Sequence, residues 1–167
     1  MHDELTRVDL KKLREELEYR ENVLQPKILE DVKTARGFGD LSENFEYKAA
    51  KQEKIRNESR MRYLRNMIRT AVVIDPASGA DEIGLFDEVT LFFEEDGEEQ
   101  TVRLVTTLRQ NALKGLISTK SPLGGAILGK RVGDRVQIRV SEDYSYFVTV
   151  RAIRKGEDDA SLEIGSY

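Results

Sequence analysis

Apolar residues recur at helical spacing through the first half of the chain. Within residues 6–36 they return at steps of three or four, and charged residues of both signs lie between them. Residues 43–71 repeat the pattern with sparser apolar positions. This spacing puts the apolar side chains on one helix face and predicts two long amphipathic helices. The positions are Leu10, Leu13, Leu17, Leu24, Ile28, Val32 and Ala35 in the first run, and Phe45, Ala49, Ile55, Tyr63, Leu64, Met67, Ile68 and Ala71 in the second.

Glycines separate the two helical runs. Gly37 and Gly39 favour a tight reversal, and two long helices joined by a short connection pack antiparallel. We therefore expect residues 1–74 to form a coiled-coil hairpin, with arms of about 30 residues and roughly 45 Å. Pro26 removes one helical hydrogen bond, so the first arm is either broken at Gln25 or kinked. We favour one kinked arm because the apolar steps continue past the proline.

The pattern changes from helical to alternating after a linker at residues 75–81, which contains Pro, Ser, Gly and Asp. Strands are predicted at residues 88–93, 101–106, 115–118, 136–140 and 146–153. Asp96-Gly97 is a hairpin turn signal, and Pro122 begins a short helix at residues 122–128. The predicted fold class is α+β, with a C-terminal antiparallel-sheet domain at residues 82–155 after the helical hairpin. Residues 156–167 form an acidic tail that we expect to be poorly ordered.

The composition of the chain excludes several kinds of functional site and indicates where the protein works. The chain of 167 residues has no cysteine, which excludes disulfides, thiolate catalysis and Cys-based zinc sites and suits a reducing cytosol. No apolar run approaches the roughly 20 residues of a membrane span, and no signal peptide is visible. We therefore expect a cytoplasmic protein. The net charge of −4 argues against general DNA binding, yet eight basic residues in the stretch 48–69 face only Glu53 and Glu58.

The segment that joins the helices, here called the tip (residues 38–47), concentrates carboxylates. Asp40, Glu43 and Glu46 lie within seven residues. One interpretation is helix capping, with Asp40 or Ser42 as the cap and Glu43 in the first helical turn. The local pattern favours that interpretation, although a cap needs no long arm to carry it. The other interpretation is an incomplete Mg²⁺ site, because two carboxylates three residues apart can converge and Mg²⁺ prefers oxygen ligands.

Two separated motifs resemble the Gre family of bacterial transcript cleavage factors, and more its GreA-like branch. The first is Gly39-Asp40-Leu41-Ser42-Glu43-Asn44 followed by Glu46-Tyr47. The second comprises Ser121-Pro122-Leu123, then Ala126-Ile127-Leu128-Gly129-Lys130, then Gly133-Asp134. The resemblance extends from about residue 5 to residue 153, and the position of Pro26 also fits the family.

The resemblance implies a fold and a function. The fold is a coiled-coil hairpin followed by an FKBP-like domain, which docks on the rim of the RNA polymerase secondary channel while the hairpin enters it. Asp40 and Glu43 would be the catalytic carboxylates that help to hold Mg²⁺ at the polymerase active centre. Polymerase would then hydrolyse backtracked RNA. The partners are thus bacterial RNA polymerase and the RNA 3′ end, and this chain, a monomer without membrane contact, would not itself be an enzyme.

Further residues are assigned by the same resemblance. Arg36, Lys48 and Lys51 match an RNA-proximal basic patch, with an ordinary solvated helix face as the equal alternative. That alternative is favoured for the basic residues at 62–69. The segment Ser121-Pro122-Leu123 would contact polymerase, or Ser121-Pro122 would only start a helix.

Phe45 stands where the family often has a small residue. It either packs in the tip, which we favour, or stacks on an extruded RNA base. Two other function classes remain at this stage. One is a channel-binding inhibitor that does not stimulate cleavage, disfavoured by the intact acidic motif. The other is an FKBP-like isomerase or chaperone, disfavoured because aromatic residues are only 7% of the chain and Trp is absent.

Overall fold

A computed structural model describes residues 2–39 and 44–165. It divides into two compact units, one formed by Leu10–Ala71 and the other by Asp3–Asp9 together with Val72–Tyr167. The sequence had placed all of residues 1–74 in the hairpin. Asp3–Asp9 instead pack with the C-terminal unit, because strand β1 (Glu4–Leu5) pairs in parallel with strand β2 (Val72–Val73).

The first arm of the hairpin remains helical through Pro26. Helix α1 (Arg7–Tyr19) leads through a π-helical turn (Arg20–Leu24) into helix α2 (Gln25–Arg36). The backbone N–H of Gln25 bonds to the carbonyl of Arg20, five residues earlier. This wider turn lies directly before proline, which has no N–H and cannot make the ordinary helical bond. The prediction that the first arm continues past Pro26, and is not broken at Gln25, is confirmed.

The second arm is helix α3 (Phe45–Thr70), about 39 Å long. Cross-arm contacts run antiparallel: Arg60 Nε donates to Glu16 Oε2 at 2.7 Å, and Gln25 Nε2 donates to Glu58 Oε1 at 3.1 Å. The seam also buries polar Asn57, whose Nδ2 donates to Gln25 Oε1 at 2.8 Å. The apolar residues buried in this unit are Leu10, Leu13, Ile28, Ala35, Met61, Leu64 and Met67. No helix within residues 2–39 and 44–165 is both long and apolar enough to cross a membrane.

The apolar spacing misplaced three positions in α3, because Phe45, Ala49 and Ile55 are all exposed. Ile55 was expected on the buried face, but it is 55% exposed, and Asn57 and Arg60 occupy buried positions instead. Glu16 forms a bidentate ion pair with Arg60, which lets a charged residue lie in the seam. The hairpin seam is therefore specified partly by polar pairing.

The C-terminal unit is built on a five-stranded sheet with the order β5-β4-β3-β7-β6. The strands are β3 (Glu88–Phe93), β4 (Glu98–Val105), β5 (Leu116–Ser118), β6 (Arg135–Arg139) and β7 (Ser145–Arg154), with helix α4 (Pro122–Ile127) after β5. All five predicted strands and the short helix are present. The hairpin between β3 and β4 turns at Gly97, whose φ of 66° suits glycine. Alternating residues of these strands form one core with Ile83 and Ile127.

The prediction of an antiparallel sheet is wrong at one edge. Strand β5 pairs with β4 in parallel, whereas the other neighbours are antiparallel. The chain returns to the start of β5 through two 3₁₀ turns, Thr107–Arg109 and Ala112–Lys114, so that β5 runs in the same direction as β4.

The acidic tail also differs from expectation, because residues 156–165 have specific contacts. Asp158 Oδ1 lies 2.5 Å from Arg109 Nη2, and the carbonyl of Asp159 accepts from Arg109 Nη1 at 3.0 Å. Arg109 also donates to Asp9 Oδ1 at 2.6 Å from its Nε, and both of these side chains are fully buried. A fully buried arginine requires carboxylate partners, and the tail supplies one of them. The expectation of a poorly ordered tail is therefore wrong for these residues.

Candidate functional site

The start of α3 is fixed by Asn44. Its Oδ1 accepts from the backbone N–H of Tyr47 at 2.9 Å, which is an N-cap bond, and its Nδ2 donates to the carbonyl of Ala35 at 2.6 Å. One side chain thus caps the second arm and joins it to the end of the first. The helix begins at Phe45, with Asn44 as its N-cap.

The interpretation of the sequence did not identify Asn44 as the cap, because several residues of the tip are of types that cap helices. Asp40, Ser42 and Asn44 are all cap-forming types, and their order along the chain does not show where the helix begins. The distinguishing feature is the second bond, from Asn44 to Ala35, which depends on the antiparallel arrangement of the two arms.

The predicted catalytic and metal-binding pair, Asp40 and Glu43, lies outside the described residues. Within residues 2–39 and 44–165 there is no group of three His, Asp or Glu side chains placed to hold a metal ion. Glu46, the third carboxylate of the tip, is an exposed residue in the first turn of α3.

The described residues around the tip form two cation–aromatic pairs. Arg36 Nη2 donates to Tyr47 Oη at 3.3 Å, and its guanidinium carbon lies 5.5 Å from the Tyr47 ring centroid. That hydrogen bond, with smaller help from Lys51 and Lys54, lowers the pKa of the Tyr47 hydroxyl. Lys48 Nζ lies 5.6 Å from the ring centroid of Phe45. The tip is therefore cationic and aromatic as well as acidic in sequence.

Phe45 does not pack in the tip. Its side chain is 79% exposed, although it is the first residue of a helix whose later apolar residues are buried. The favoured interpretation of Phe45 as a packing residue is wrong. The first helical position follows an Asn44 cap that already ties the arms together, so the ring is not needed to close the hairpin.

The basic stretch 48–69 consists of two different parts. Away from the tip, Arg60 binds Glu16, and Arg65 Nη2 lies 2.6 Å from Glu21 Oε1, so hairpin carboxylates neutralise these cations. Near the tip, Lys48 and Lys51 are exposed and have no ion pair with a described residue. The structure thus separates a structural basic group from a cationic surface beside the tip.

The second motif is divided between structural and exposed residues. Ser121 caps α4: its Oγ accepts from the N–H of Gly124 at 3.1 Å and donates to the carbonyl of Ser118 at 2.6 Å. Leu123 packs against the core of the sheet. Pro122 is exposed at the first helical position. Of these three residues, Pro122 is the one whose side chain is exposed, although its position also suits the start of α4.

A cleft of about 260 Å³ in the C-terminal unit bears on the isomerase alternative. Its lining includes Pro76, Leu85, Thr119 and Leu128, and no aromatic side chain contributes to it. An apolar ligand site normally offers aromatic and aliphatic walls with a few polar groups. This cleft gives no support to a prolyl isomerase site.

Comparison with known proteins agrees with the two-part organisation. Residues 4–73 match the family model described as Transcription elongation factor, N-terminal, and residues 78–155 match Transcription elongation factor, GreA/GreB, C-term. The chain is 43% identical over 136 residues to transcription elongation factor GreA of Geobacillus kaustophilus (strain HTA426), covering 81% of this chain and 86% of that relative. It is 40% identical over 128 residues to GreA of Bacillus subtilis (strain 168), covering 77% and 82%. Among solved structures, GreA factor homolog 1 (Gfh1) of Thermus thermophilus is 29% identical, with 93% of this chain and 100% of that chain covered and a TM-score of 0.44. The chain belongs to the GreA/GreB family of transcription elongation factors.

Proposed function

We propose that this protein enters RNA polymerase and stimulates the hydrolysis of backtracked RNA by the polymerase active site. The observation that carries the proposal is the position of Asn44. Because Asn44 caps α3 and closes the hairpin, the neighbouring Asp40 and Glu43 are not required as helix caps. Two carboxylates that precede a fixed helix start in the sequence, and that the fold does not need as caps, are free to act on a partner.

The donor chemistry of Asp40 and Glu43 fits Mg²⁺. Both offer only oxygen ligands, and Mg²⁺ is usually bound through one or two carboxylates, with water and phosphate completing its shell. When bound, Mg²⁺ activates water and offsets charge on the phosphate. Asp40 and Glu43 would supply ligands that the polymerase site lacks. Asn44 would fix the start of the helix that follows them. Because two carboxylates form an incomplete site, the isolated protein should bind Mg²⁺ weakly.

The reaction assigned to the polymerase is phosphodiester hydrolysis. A water oxygen bonds to phosphorus, the bond from phosphorus to the 3′ oxygen breaks, and that oxygen takes up a proton. The short 3′ fragment leaves, and the remaining RNA regains a 3′ hydroxyl. In this proposal the chain supplies ligands and position, and it does not itself catalyse the hydrolysis.

The cationic side chains near the tip would contact the displaced RNA. Lys48 and Lys51 follow Glu43 by five and eight residues, so they lie one to two turns along α3. Arg36 lies at the end of α2 and is held against Tyr47. Their positive charge suits the phosphates of a single strand.

Pro122 would be the polymerase contact of the second motif. Ser121 and Leu123 would support it, the first as the cap of α4 and the second by packing on the core. Replacing Pro122 with Ala should weaken competition for polymerase without unfolding the protein, because proline is exposed there.

The decisive experiment uses a stalled, backtracked elongation complex. Asp40→Asn and Glu43→Gln should each abolish stimulated cleavage while binding to polymerase and thermal stability stay near wild type. Glu46→Gln is the matched control, because it removes a neighbouring charge from an exposed helix residue and should leave most activity. Parallel loss of binding and activity, or unfolding of either variant, would favour a structural role. Wild-type protein that binds polymerase without stimulating cleavage would favour the inhibitor class.

The basic residues are tested through salt dependence. The double variant Lys48→Glu with Lys51→Glu should slow cleavage at saturating protein. It should also weaken the salt dependence, with the slope against the logarithm of salt concentration smaller by about 0.7 for each phosphate contact that is lost. Arg62→Glu is the control, because Arg62 is exposed on the same helix but further from the tip. Identical rates for wild type and the double variant at every salt concentration would show that Lys48 and Lys51 belong to an ordinary solvated helix face and do not contact RNA.

A further inference from the structure

Phe45 and Lys48 form an exposed pair that the fold does not use. Phe45 is 79% exposed, and Lys48 Nζ lies 5.6 Å from its ring centroid. The two residues are three apart on α3 and therefore share a helix face. Exposing a phenyl ring forgoes the free energy of burying it, and the ring contributes no packing to the hairpin seam. The ring is therefore free to contact a partner that binds at the tip.

The surroundings favour a nucleic-acid base over an apolar protein groove. The neighbours of Phe45 on the first turns of α3 include exposed Glu46 and Lys48, so charged groups flank the ring. A helix that docks in an apolar groove presents several apolar residues at helical spacing. A ring beside an ammonium group is instead the combination that binds single-stranded nucleic acids, since the base stacks on the ring and the cation contacts the phosphate.

Chain length places the ring close to the proposed chemistry. Phe45 follows Glu43 by two residues, and consecutive Cα atoms are 3.8 Å apart, so their Cα atoms lie within about 8 Å. A carboxylate from Glu43 at the scissile phosphate would therefore bring the ring beside the first extruded nucleotides.

We infer that Phe45 stacks on an unpaired base of the extruded RNA 3′ segment while Lys48 contacts an adjacent phosphate. The inference rests on the proposed function and adds a positioning residue to it. Phe45 touches neither the metal nor the bond that breaks. It holds the strand so that the phosphate stays in line with the tip carboxylates.

The test compares Phe45→Ala, Phe45→Leu and Phe45→Trp in full-length protein. The RNA carries either a normal or an abasic nucleotide at its extruded 3′ end. With the normal base at subsaturating protein, the Ala and Leu variants should lower the apparent second-order rate of cleavage by about 5- to 150-fold, the range expected for one base–aromatic stack. Trp should retain the wild-type rate. With the abasic nucleotide, the cleavage rate of wild type should fall to that of Phe45→Ala. The rate of Phe45→Ala should change little between the two RNAs.

Ile55→Ala is the matched control, because it removes a similarly exposed apolar side chain from the same helix about 15 Å further along. It should leave cleavage unchanged, and circular dichroism should show every variant folded. Wild-type activity in Phe45→Leu would overturn the inference, since any apolar side chain would then suffice. A loss in Phe45→Ala that persists in full with the abasic RNA would overturn it in favour of a protein contact. In both cases stimulation by wild type would leave the proposed function standing, whereas wild type that stimulates no cleavage overturns both.

Discussion

Replacing Arg109 should be the most destabilising single change in the C-terminal unit. Its side chain is fully buried and makes four polar contacts: Asp9 at 2.6 Å, Asp158 at 2.5 Å, the Asp159 carbonyl at 3.0 Å and Thr6 at 3.2 Å. The Asp158 contact is an ion pair and not a well-aligned hydrogen bond. Arg109→Met keeps the volume but leaves the fully buried Asp9 carboxylate without its cation.

The expected loss is about 3–5 kcal/mol, the cost of removing one partner from a buried ion pair. That is a large part of the roughly 5–15 kcal/mol that stabilises a typical domain. Urea unfolding is the assay, followed by circular dichroism and by tyrosine fluorescence, since the chain has six Tyr and no Trp. Arg109→Lys provides a milder variant should Arg109→Met fail to fold.

A second variant separates charge burial from packing. Asp9→Asn combined with Arg109→Met leaves no unpaired charge between these two positions, so the loss should be smaller than the sum of the single losses. The exposed pair of Arg135 and Glu94 gives the control, because Arg135→Met should cause little measurable loss. A loss below about 1 kcal/mol for Arg109→Met, or strict additivity in the double variant, would refute the reasoning.

Three further changes test the hairpin and the sheet domain. Burial raises the pKa of Glu16, but hydrogen bonds from two arginines outweigh this and hold it below the ordinary 4.5. Its contribution to stability is therefore complete above its ordinary pKa of 4.5 and is lost as pH falls through the lowered pKa, so the melting temperature of Glu16→Gln should depend less on pH below 4.5 than that of wild type. Asn44→Ala should cost about 0.5–2 kcal/mol in thermal unfolding, and Asn44→Asp should recover the cap but not the bond to Ala35. Gly124→Ala should destabilise the sheet domain in denaturant, because a Cβ there would lie 2.0 Å from the carbonyl oxygen of Ser118; a wild-type midpoint would show that α4 can shift.

The sequence by itself determined the elements and the family. Helical spacing located both arms, alternation located all five strands, and the first of two family motifs located the acidic tip. These features depend on local periodicity and on residue type, which are present in the chain before it folds. Even the continuous arm through Pro26 followed from apolar steps on both sides of the proline.

Tertiary structure decided which residues with similar local signals are partners. Asn44 became the cap, rather than Asp40 or Ser42, because it also reaches the carbonyl of Ala35 on the opposite arm. Arg60 and Lys48 look alike in the basic stretch, yet Arg60 meets Glu16 across the seam and Lys48 remains exposed.

The same holds for the distant partners of the C-terminal unit. Arg109 and Asp9 are 100 residues apart, and the tail joins them at Asp158. The parallel pairing of β4 with β5 likewise depends on how the chain returns between them. These contacts form between residues that are far apart in the sequence, when the core packs together. The apolar periodicity of a short stretch of sequence does not predict them.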